Sequence, residues 1–123
     1  MTKYFTNTYS IISLYKKASK KSEVVTQMIY GDSFSVVKKN NKWLKIRIKE
    51  DNYLGFIPKK NYKSYLKPTH KINKLKAKIY SFPNKKRKIN ELTYGSKIKV
   101  IDKQSKFLKF NIGWISKNET KPI

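Results

Sequence analysis

The chain has 123 residues and no cysteine, and its 30 Lys and Arg residues against 7 Asp and Glu residues give a formal net charge of +23. The length excludes a large enzyme, and the absence of cysteine excludes a disulfide scaffold and any site built on thiolates. Apolar runs are short throughout, whereas a membrane-spanning helix needs about 20 apolar residues. The first residues also lack the apolar segment of a secretory signal, so we expect a cytoplasmic protein, with cell-envelope association as a second option.

The positive charge is carried almost entirely by lysine, since Arg47 and Arg87 are the only arginines. Recognition of phosphates and bases usually depends on the planar, bidentate guanidinium group, whereas lysine is a solvated point charge. The charge therefore indicates binding of nucleic acid or another polyanion only as an alternative function.

Short runs of alternating apolar and polar residues follow one another along the chain. Period-two alternation with β-branched and aromatic residues is typical of strands, and no segment has a convincing helical stripe. The intervening segments have the compositions of turns and loops. In the first half of the chain the predicted strands are Ile11–Tyr15, Val24–Tyr30, Phe34–Val37, Trp43–Ile48 and Tyr53–Ile57.

The second half of the chain repeats the first. Tyr30–Val37 recurs 64 residues later as Tyr94–Ile101, and with the same offset Trp43–Ile46 matches Phe107–Phe110. After a deletion of six residues, a Gly-aromatic-Ile sequence at residues 55–57 recurs at 113–115. Such self-similarity predicts two copies of one small β domain.

These matches predict a division of the chain into two domains. The first domain is predicted at residues 9–62, after an N-terminal extension at 1–8, and the second at residues 75–117, before a C-terminal tail at 118–123. Residues 63–74 contain Pro68 and little alternation, which favours a linker.

Each copy is predicted to form a small all-β barrel, because closure hides the edges of short strands. Gly31 and Gly95 follow strands at expected sharp turns, where glycine adopts positive φ without a Cβ penalty. Gly55 and Gly113 are expected at a bulge or at a tight bend of a barrel corner, where a side chain would clash. Residues 47–52 have no counterpart in the second copy, so its hairpin at that point should be shorter.

The order of these segments resembles a bacterial SH3-like domain and, more narrowly, the amino-terminal part of the NlpC-type cell-wall cysteine peptidases. The resemblance lies in Val24–Asp32, Trp43–Ile46 and Tyr53–Pro58, and in the sequence Pro68-Thr69-His70 between the copies. It implies two small SH3-like barrels in tandem. Enzymes of that family add a papain-like domain with a catalytic Cys and His. Because the thiolate is the reactive species and this sequence has no cysteine, we predict a non-catalytic chain.

The resemblance also implies a ligand site in the first copy. In family members the first SH3-like domain is thought to help form the pocket for the free amino end of the peptide, through an acidic residue and a tyrosine. The matching residues here are Asp32 and Tyr53. A carboxylate could hold an α-ammonium group by a charge-assisted bond, and a phenol could add a second contact. The structural alternative is that the aspartate serves the turn and the tyrosine fills the strand.

The other notable residues have simpler interpretations. His70 is the only histidine and lacks the partners of a catalytic triad or zinc site, so we expect it to pack or cap, and we predict no metal or cofactor. Trp43, Phe107 and Trp114 are predicted to pack, with a stacking surface as the alternative. The Lys-rich loops at residues 16–21 and 85–88 are expected to be solvated, or to form paired basic knobs.

Together these features predict a binding and positioning module related to the substrate-recognition part of a murein-peptide endopeptidase. Its expected partner is a murein peptide or a catalytic peptidase domain. A Lys-rich nucleic-acid or polyanion-binding protein is the alternative, and a protein-interaction adaptor is a third option. The sequence leaves the oligomeric state open.

Overall fold

A computed structural model describes residues 2–123, and the chain divides into two compact units, Met1–Leu66 (unit 1) and Lys67–Ile123 (unit 2). The all-β prediction is confirmed, since the described chain forms three antiparallel sheets that make two small SH3-like barrels. Helical structure in these residues is limited to a 3₁₀ turn at Lys117–Glu119. Over residues 2–123 the structure therefore offers no helix with the length and apolar character needed to traverse a bilayer.

Unit 1 contains a single seven-stranded sheet. Its strand order is β3-β2-β6-β5-β4-β1-β7, and every pairing is antiparallel. The strands are β1 (Tyr4–Thr6), β2 (Ile11–Tyr15), β3 (Val24–Ile29), β4 (Ser33–Lys39), β5 (Trp43–Ile48), β6 (Leu54–Pro58) and β7 (Lys63–Ser64).

The core of unit 1 follows from the alternation predicted in its strands. Along β5, Leu44, Ile46 and Ile48 are buried, while the residues between them are more exposed. Strand side chains point to opposite faces in turn, so one face of β5 faces the core. The core of buried residues comprises Ile12, Leu14, Met28, Phe34, Leu44, Ile46, Ile48 and Ile57.

Unit 2 divides the same architecture between two sheets. Their strand orders are β10-β9-β14-β13-β12 and β11-β8-β15. The strands are β8 (His70–Ile72), β9 (Lys76–Tyr80), β10 (Lys88–Thr93), β11 (Lys97–Ile98), β12 (Asp102–Gln104), β13 (Phe107–Phe110), β14 (Gly113–Ser116) and β15 (Thr120–Pro122). Its buried hydrophobic residues are Ile72, Ala77, Ile79, Tyr80, Leu92, Ile98, Leu108, Phe110 and Ile115.

The two units have matching strand pairings. In unit 1, β1 lies between β4 and β7, and in unit 2, β8 lies between β11 and β15. Phe5 pairs with Phe34, and His70 pairs with Ile98, which is 64 residues after Phe34. His70 is thus the unit 2 counterpart of Phe5, and the β5–β6 connection has its counterpart between β13 and β14.

The outer boundaries of the barrels differ from the sequence prediction. The predicted N-terminal extension contributes β1, and the predicted linker at residues 63–74 contributes β7 to unit 1 and β8 to unit 2. The predicted C-terminal tail contributes β15. These strands have two or three residues each, which is too short for a period-two pattern to emerge. Pairing with a neighbouring strand makes them strands.

The predictions for Gly31 and Gly95 and for the shorter hairpin are confirmed, whereas Gly55 lies in regular register within β6, at neither a bulge nor a bend. Gly31 has a φ of 90° and Gly95 a φ of 88°, both in the left-handed region that favours glycine. In unit 2 the strands β13 and β14 are joined through the register pair Phe110 and Gly113, with two residues between them. In unit 1 the corresponding connection, residues 49–53, is longer.

Candidate functional site

Asp32 lies in the turn between β3 and β4, as the sequence predicted. Its Oδ2 atom accepts a hydrogen bond from the Ile29 N–H at 2.9 Å, and its own N–H donates to the Ile29 carbonyl at 3.2 Å. The Asn7 N–H in turn donates to the Asp32 carbonyl at 2.8 Å. The Asp32 side chain is therefore held in place by the turn, at intermediate burial.

Tyr53 lies in the β5–β6 connection, directly before β6. Its side chain is 49% exposed. Its N–H donates to Asp51 Oδ1 at 3.0 Å, and its carbonyl accepts the Ile48 N–H at 2.9 Å. The backbone of Tyr53 is thus tied on both sides while the ring remains accessible to a ligand.

The β5–β6 connection contacts the turn that holds Asp32. The Lys49 N–H donates to the Ser33 carbonyl at 2.8 Å, and the Ser33 N–H donates to Glu50 Oε1, also at 2.8 Å. Glu50 therefore caps the residue next to Asp32. We call Asp32, Glu50, Asp51 and Tyr53 the acidic corner of unit 1.

The role of Glu50 in the acidic corner was missed by sequence reasoning, which named only Asp32 and Tyr53 as candidate ligand residues. The only signal was compositional. Three of the 7 acidic residues of this chain lie in the acidic corner, although the net charge is +23.

None of the acidic corner has a counterpart in unit 2. Ser96 stands 64 residues after Asp32, and its hydroxyl is buried with no hydrogen-bond partner. The segment that would correspond to Glu50 and Asp51 is absent from the shorter hairpin, and Asn111 stands in place of Tyr53. Unit 2 therefore shares the fold of unit 1 but not this group of residues.

A second feature of unit 1 is a groove of about 430 Å³, which we call the basic groove. It lies between the end of β4 and the segment that follows β6. Apolar and aromatic side chains form most of its surface, and four lysines complete the lining. The lining residues are Phe5, Phe34, Val36, Val37, Lys38, Lys39, Leu44, Lys59, Lys60 and Tyr62.

Tyr62 is fixed at the basic groove by its ring and its hydroxyl. The ring packs edge-on against Phe34, with centroids 5.2 Å apart, and against Tyr9 at 5.8 Å. The hydroxyl donates to the Pro58 carbonyl at 2.8 Å. Burial, and to a lesser extent the neighbouring Tyr9, raises the pKa of Tyr62 well above its ordinary value. The phenol therefore stays protonated as a donor.

The aromatic residues singled out in the repeat are half-buried outside the two cores. Trp43 packs edge-on against Tyr15 at 5.7 Å, and the equivalent Phe107 packs against Tyr80 at 6.3 Å. Trp114 lies under the Lys109 ammonium at 5.8 Å. Trp43 and Phe107 thus pack against aromatic rings of their own unit, whereas Trp114 makes a cation–π contact.

His70 is in β8, within unit 2, at intermediate burial. Its Nδ1 atom is 2.8 Å from the Thr69 hydroxyl. Burial and the nearby Lys117 charge both lower the pKa of His70. Within residues 2–123, no group of three or more His, Asp and Glu side chains is arranged to hold a metal ion.

The Lys-rich loops are exposed in both units, at residues 16–21 and 85–88. Their side chains lie at the surface, which agrees with the expectation of solvated faces, and the Lys88 ammonium forms an ion pair with Glu91 at 2.6 Å.

Comparison with known proteins agrees with this architecture. Residues 14–61 match the family described as the bacterial dipeptidyl-peptidase Sh3 domain. The crystal structure of an NlpC/P60 family protein from Bacillus cereus ATCC 10987 superposes with a TM-score of 0.73 at 17% identity, and covers 98% of this chain and 56% of its own. This chain thus spans little more than half the length of that protein. No curated protein matches the chain significantly.

Two further solved structures, NlpC2 and NlpC1 from Trichomonas vaginalis, cover 98% of this chain and 47% and 45% of their own. Their identities are 17% and 16%, and their TM-scores are 0.40 and 0.41. Residues 14–61 thus match the dipeptidyl-peptidase SH3 family, and the chain as a whole shares its fold with part of the Bacillus cereus protein.

Proposed function

We propose that the chain is a non-catalytic accessory module of a murein-peptide peptidase, and that the acidic corner of unit 1 binds the free amino end of the peptide. The observation that carries the proposal is the family match over residues 14–61, which spans every residue of the acidic corner. In this proposal Asp32 supplies the charge and Tyr53 a second contact from its accessible ring and hydroxyl.

The electrostatics of the chain support an ammonium site at this place. A net charge of +23 repels a cationic group over most of the surface. A bound α-ammonium therefore needs local carboxylates, and Asp32, Glu50 and Asp51 provide them. All three are positioned by backbone N–H donors, at 2.9, 2.8 and 3.0 Å. Such preorganisation lowers the entropic cost of binding.

The difference between the two units also supports a special role for unit 1. Unit 2 keeps the barrel but lacks every member of the acidic corner, so the fold does not require these residues. Because the sequence has no cysteine, a thiolate nucleophile would come from another domain or another chain. Unit 1 would present the peptide to that nucleophile.

The test is a titration of the chain with L-Ala-γ-D-Glu-diaminopimelate, followed by ¹⁵N NMR. The proposal expects shifts of the Ile29, Ser33 and Tyr53 amides, which donate to the three carboxylates of the acidic corner. It expects these shifts to disappear when the peptide is N-acetylated. Asp32→Asn should weaken binding by about tenfold, which is the effect of losing a charge-assisted contact of about 1.4 kcal/mol.

Asp102→Asn is the matched control, because Asp102 also caps a backbone amide, that of Lys103 at 2.8 Å, but lies in unit 2. Tyr53→Phe removes the hydroxyl of the proposed second contact and should also weaken binding. Tyr94→Phe is its matched control, since Tyr94 is similarly exposed, at 55%, but lies in unit 2. Equal binding of the acetylated peptide, or equal losses in the Asp32 and Asp102 variants, would show that the acidic corner is not the amine site.

Nucleic-acid binding stays a prediction from charge. If the chain binds nucleic acid, it should bind a duplex DNA probe with an affinity that falls steeply with salt. The logarithm of the binding constant should decrease by about 0.9 per phosphate contact for each tenfold rise in salt.

A further inference from the structure

We propose that the basic groove of unit 1 binds an extended segment of a partner protein that carries apolar side chains flanked by carboxylates. This site is separate from the acidic corner, and its ligand differs from the amino end of a murein peptide. Three observations support it: the lining of the groove, an uncovered strand edge along it, and its loss from unit 2.

The lining of the basic groove selects for both apolar surface and negative charge. Phe34 and Leu44 are buried, and Phe5, Val36 and Tyr62 are partly buried beside them. The four lysines occur without any acidic residue in the lining. A volume of about 430 Å³ is of the size that ligand sites commonly have, roughly 300–1,000 Å³. An apolar ligand without carboxylates would leave the lysine charges uncompensated.

The groove also runs along an uncovered strand edge. Strand β4 extends from Ser33 to Lys39, but β1 pairs only with Ser33, Phe34 and Ser35. From Val36 to Lys39, the side of β4 away from β5 has no neighbouring strand among residues 2–123. An extended peptide can add to such an edge through its main chain, while its alternate side chains enter the adjacent pocket. This edge favours a peptide over a lipid or a phosphate polymer, because neither has backbone donors.

Unit 2 has the same fold but lacks the lysines and the aromatic lining of the basic groove. By the repeat alignment, Asp102 and Asn118 stand where unit 1 has Lys38 and Lys60. The counterpart of β4 is split into β11 and β12. The aromatic lining is also replaced, since His70 takes the place of Phe5. The barrel therefore does not need the lysines of the groove for its stability.

The experiment uses the full chain and a synthetic probe, the heptapeptide Glu-Glu-Phe-Thr-Leu-Glu-Glu with blocked ends. Its Phe and Leu lie two residues apart, so an extended backbone places both on one face. Calorimetry should detect binding. Replacing every Glu of the peptide by Lys should abolish binding. Two further peptides carry N-methyl groups on alternate residues, one on the odd and one on the even positions. One of these two peptides should also fail to bind, because its methyl groups replace the N–H groups that face β4.

The decisive variant is Lys38→Asp combined with Lys60→Asn, which gives unit 1 the residues of unit 2. It should weaken probe binding by about tenfold, the size expected for losing two rim contacts and gaining one repulsion. Lys16→Asp combined with Lys20→Asn is the matched control, because it makes the same charge change in an exposed loop and should change binding less than about twofold. Circular dichroism verifies that both variants keep the fold.

Several outcomes would overturn the proposal. They are no binding at millimolar probe, equal binding of polyglutamate without apolar residues, unchanged binding of both N-methylated peptides, and equal losses in the groove and control variants. Binding of phosphatidylglycerol vesicles that depends on the groove lysines, without binding of the heptapeptide, would assign the groove to lipid instead.

Discussion

Substitution of Gly55 by alanine tests how closely β6 passes β2 inside unit 1. A Cβ atom at position 55 would lie 2.8 Å from the Leu14 Cβ atom, 3.0 Å from its Cδ2 atom and 3.2 Å from its Cγ atom. Leu14 is fully buried, so its side chain has no open space into which to move. The added methyl group therefore overpacks the core where the two strands meet.

The expected cost follows from two opposing terms. Overpacking a core by an added methyl group typically costs about 1–3 kcal/mol. Replacing glycine restricts the unfolded chain and offsets about 0.4–1 kcal/mol of this cost. We expect Gly55→Ala to lower the free energy of unfolding of unit 1 by about 1–2 kcal/mol, a factor of about 5–30 in the folded-to-unfolded ratio. Native-state hydrogen exchange of the Ile46 and Ile57 amides, both in the core strands, measures this change.

A double-mutant cycle identifies the clash as the cause. Leu14→Ala removes the Cγ and Cδ2 contacts but keeps the Cβ contact, so Gly55→Ala should cost less in that background, by about 0.5 kcal/mol or more. The same cost in both backgrounds would refute the assignment to Leu14. A stabilising effect of Gly55→Ala in the wild-type background would refute the close approach of the strands itself.

Three further predictions concern single residues. Gly113→Ala should destabilise unit 2 more than Gly55→Ala destabilises unit 1, because its Cβ would lie 2.6 Å from the Tyr80 carbonyl oxygen, which the backbone holds in place. An equal or smaller increase of the amide exchange rates in unit 2 would contradict this prediction. Tyr62→Phe should cost about 1 kcal/mol through the lost bond to Pro58. Burial raises the pKa of Tyr62 above its ordinary value of 10.0, so the wild-type chain should lose stability relative to Tyr62→Phe as the pH rises above 10.0. Urea denaturation at several pH values measures this difference. The same pH dependence of stability in both proteins would contradict the prediction. Proton NMR should show the His70 ring titrating below its ordinary pKa of 6.5, because burial and the Lys117 charge both disfavour the protonated ring. Lys117→Ala should raise the midpoint of this titration. A midpoint at or above 6.5 in the wild-type chain would contradict the packing of His70.

The acidic corner shows why the candidate site could be predicted only in part. Asp32 follows a glycine at a strand end, and this local pattern alone predicts a turn at Asp32. Glu50 has no such pattern. Its place beside Asp32 depends on Ser33 accepting the Lys49 N–H, a contact between residues far apart in the sequence. Only strand pairing brings the β5–β6 connection to this turn.

The basic groove could not be predicted for a related reason. Its lysines come from β4 and from the segment after β6, and each run looks like an ordinary solvated face. The groove exists because β1 covers only the first part of β4. Since β1 has three residues, its extent is a consequence of pairing and carries no periodic signal.

The amino-acid sequence by itself determined the strand class, the two-domain repeat and the turns at Gly31 and Gly95. These features depend on side-chain alternation and on backbone sterics, which act between near neighbours and are visible in short segments. The tertiary structure decided the outer strands β1, β7, β8 and β15, the contact of Glu50 with Ser33 and the shape of the basic groove. Each of these depends on hydrogen bonds and packing between segments that are distant in the sequence. Such contacts form, and contribute to stability, only when the barrel has closed.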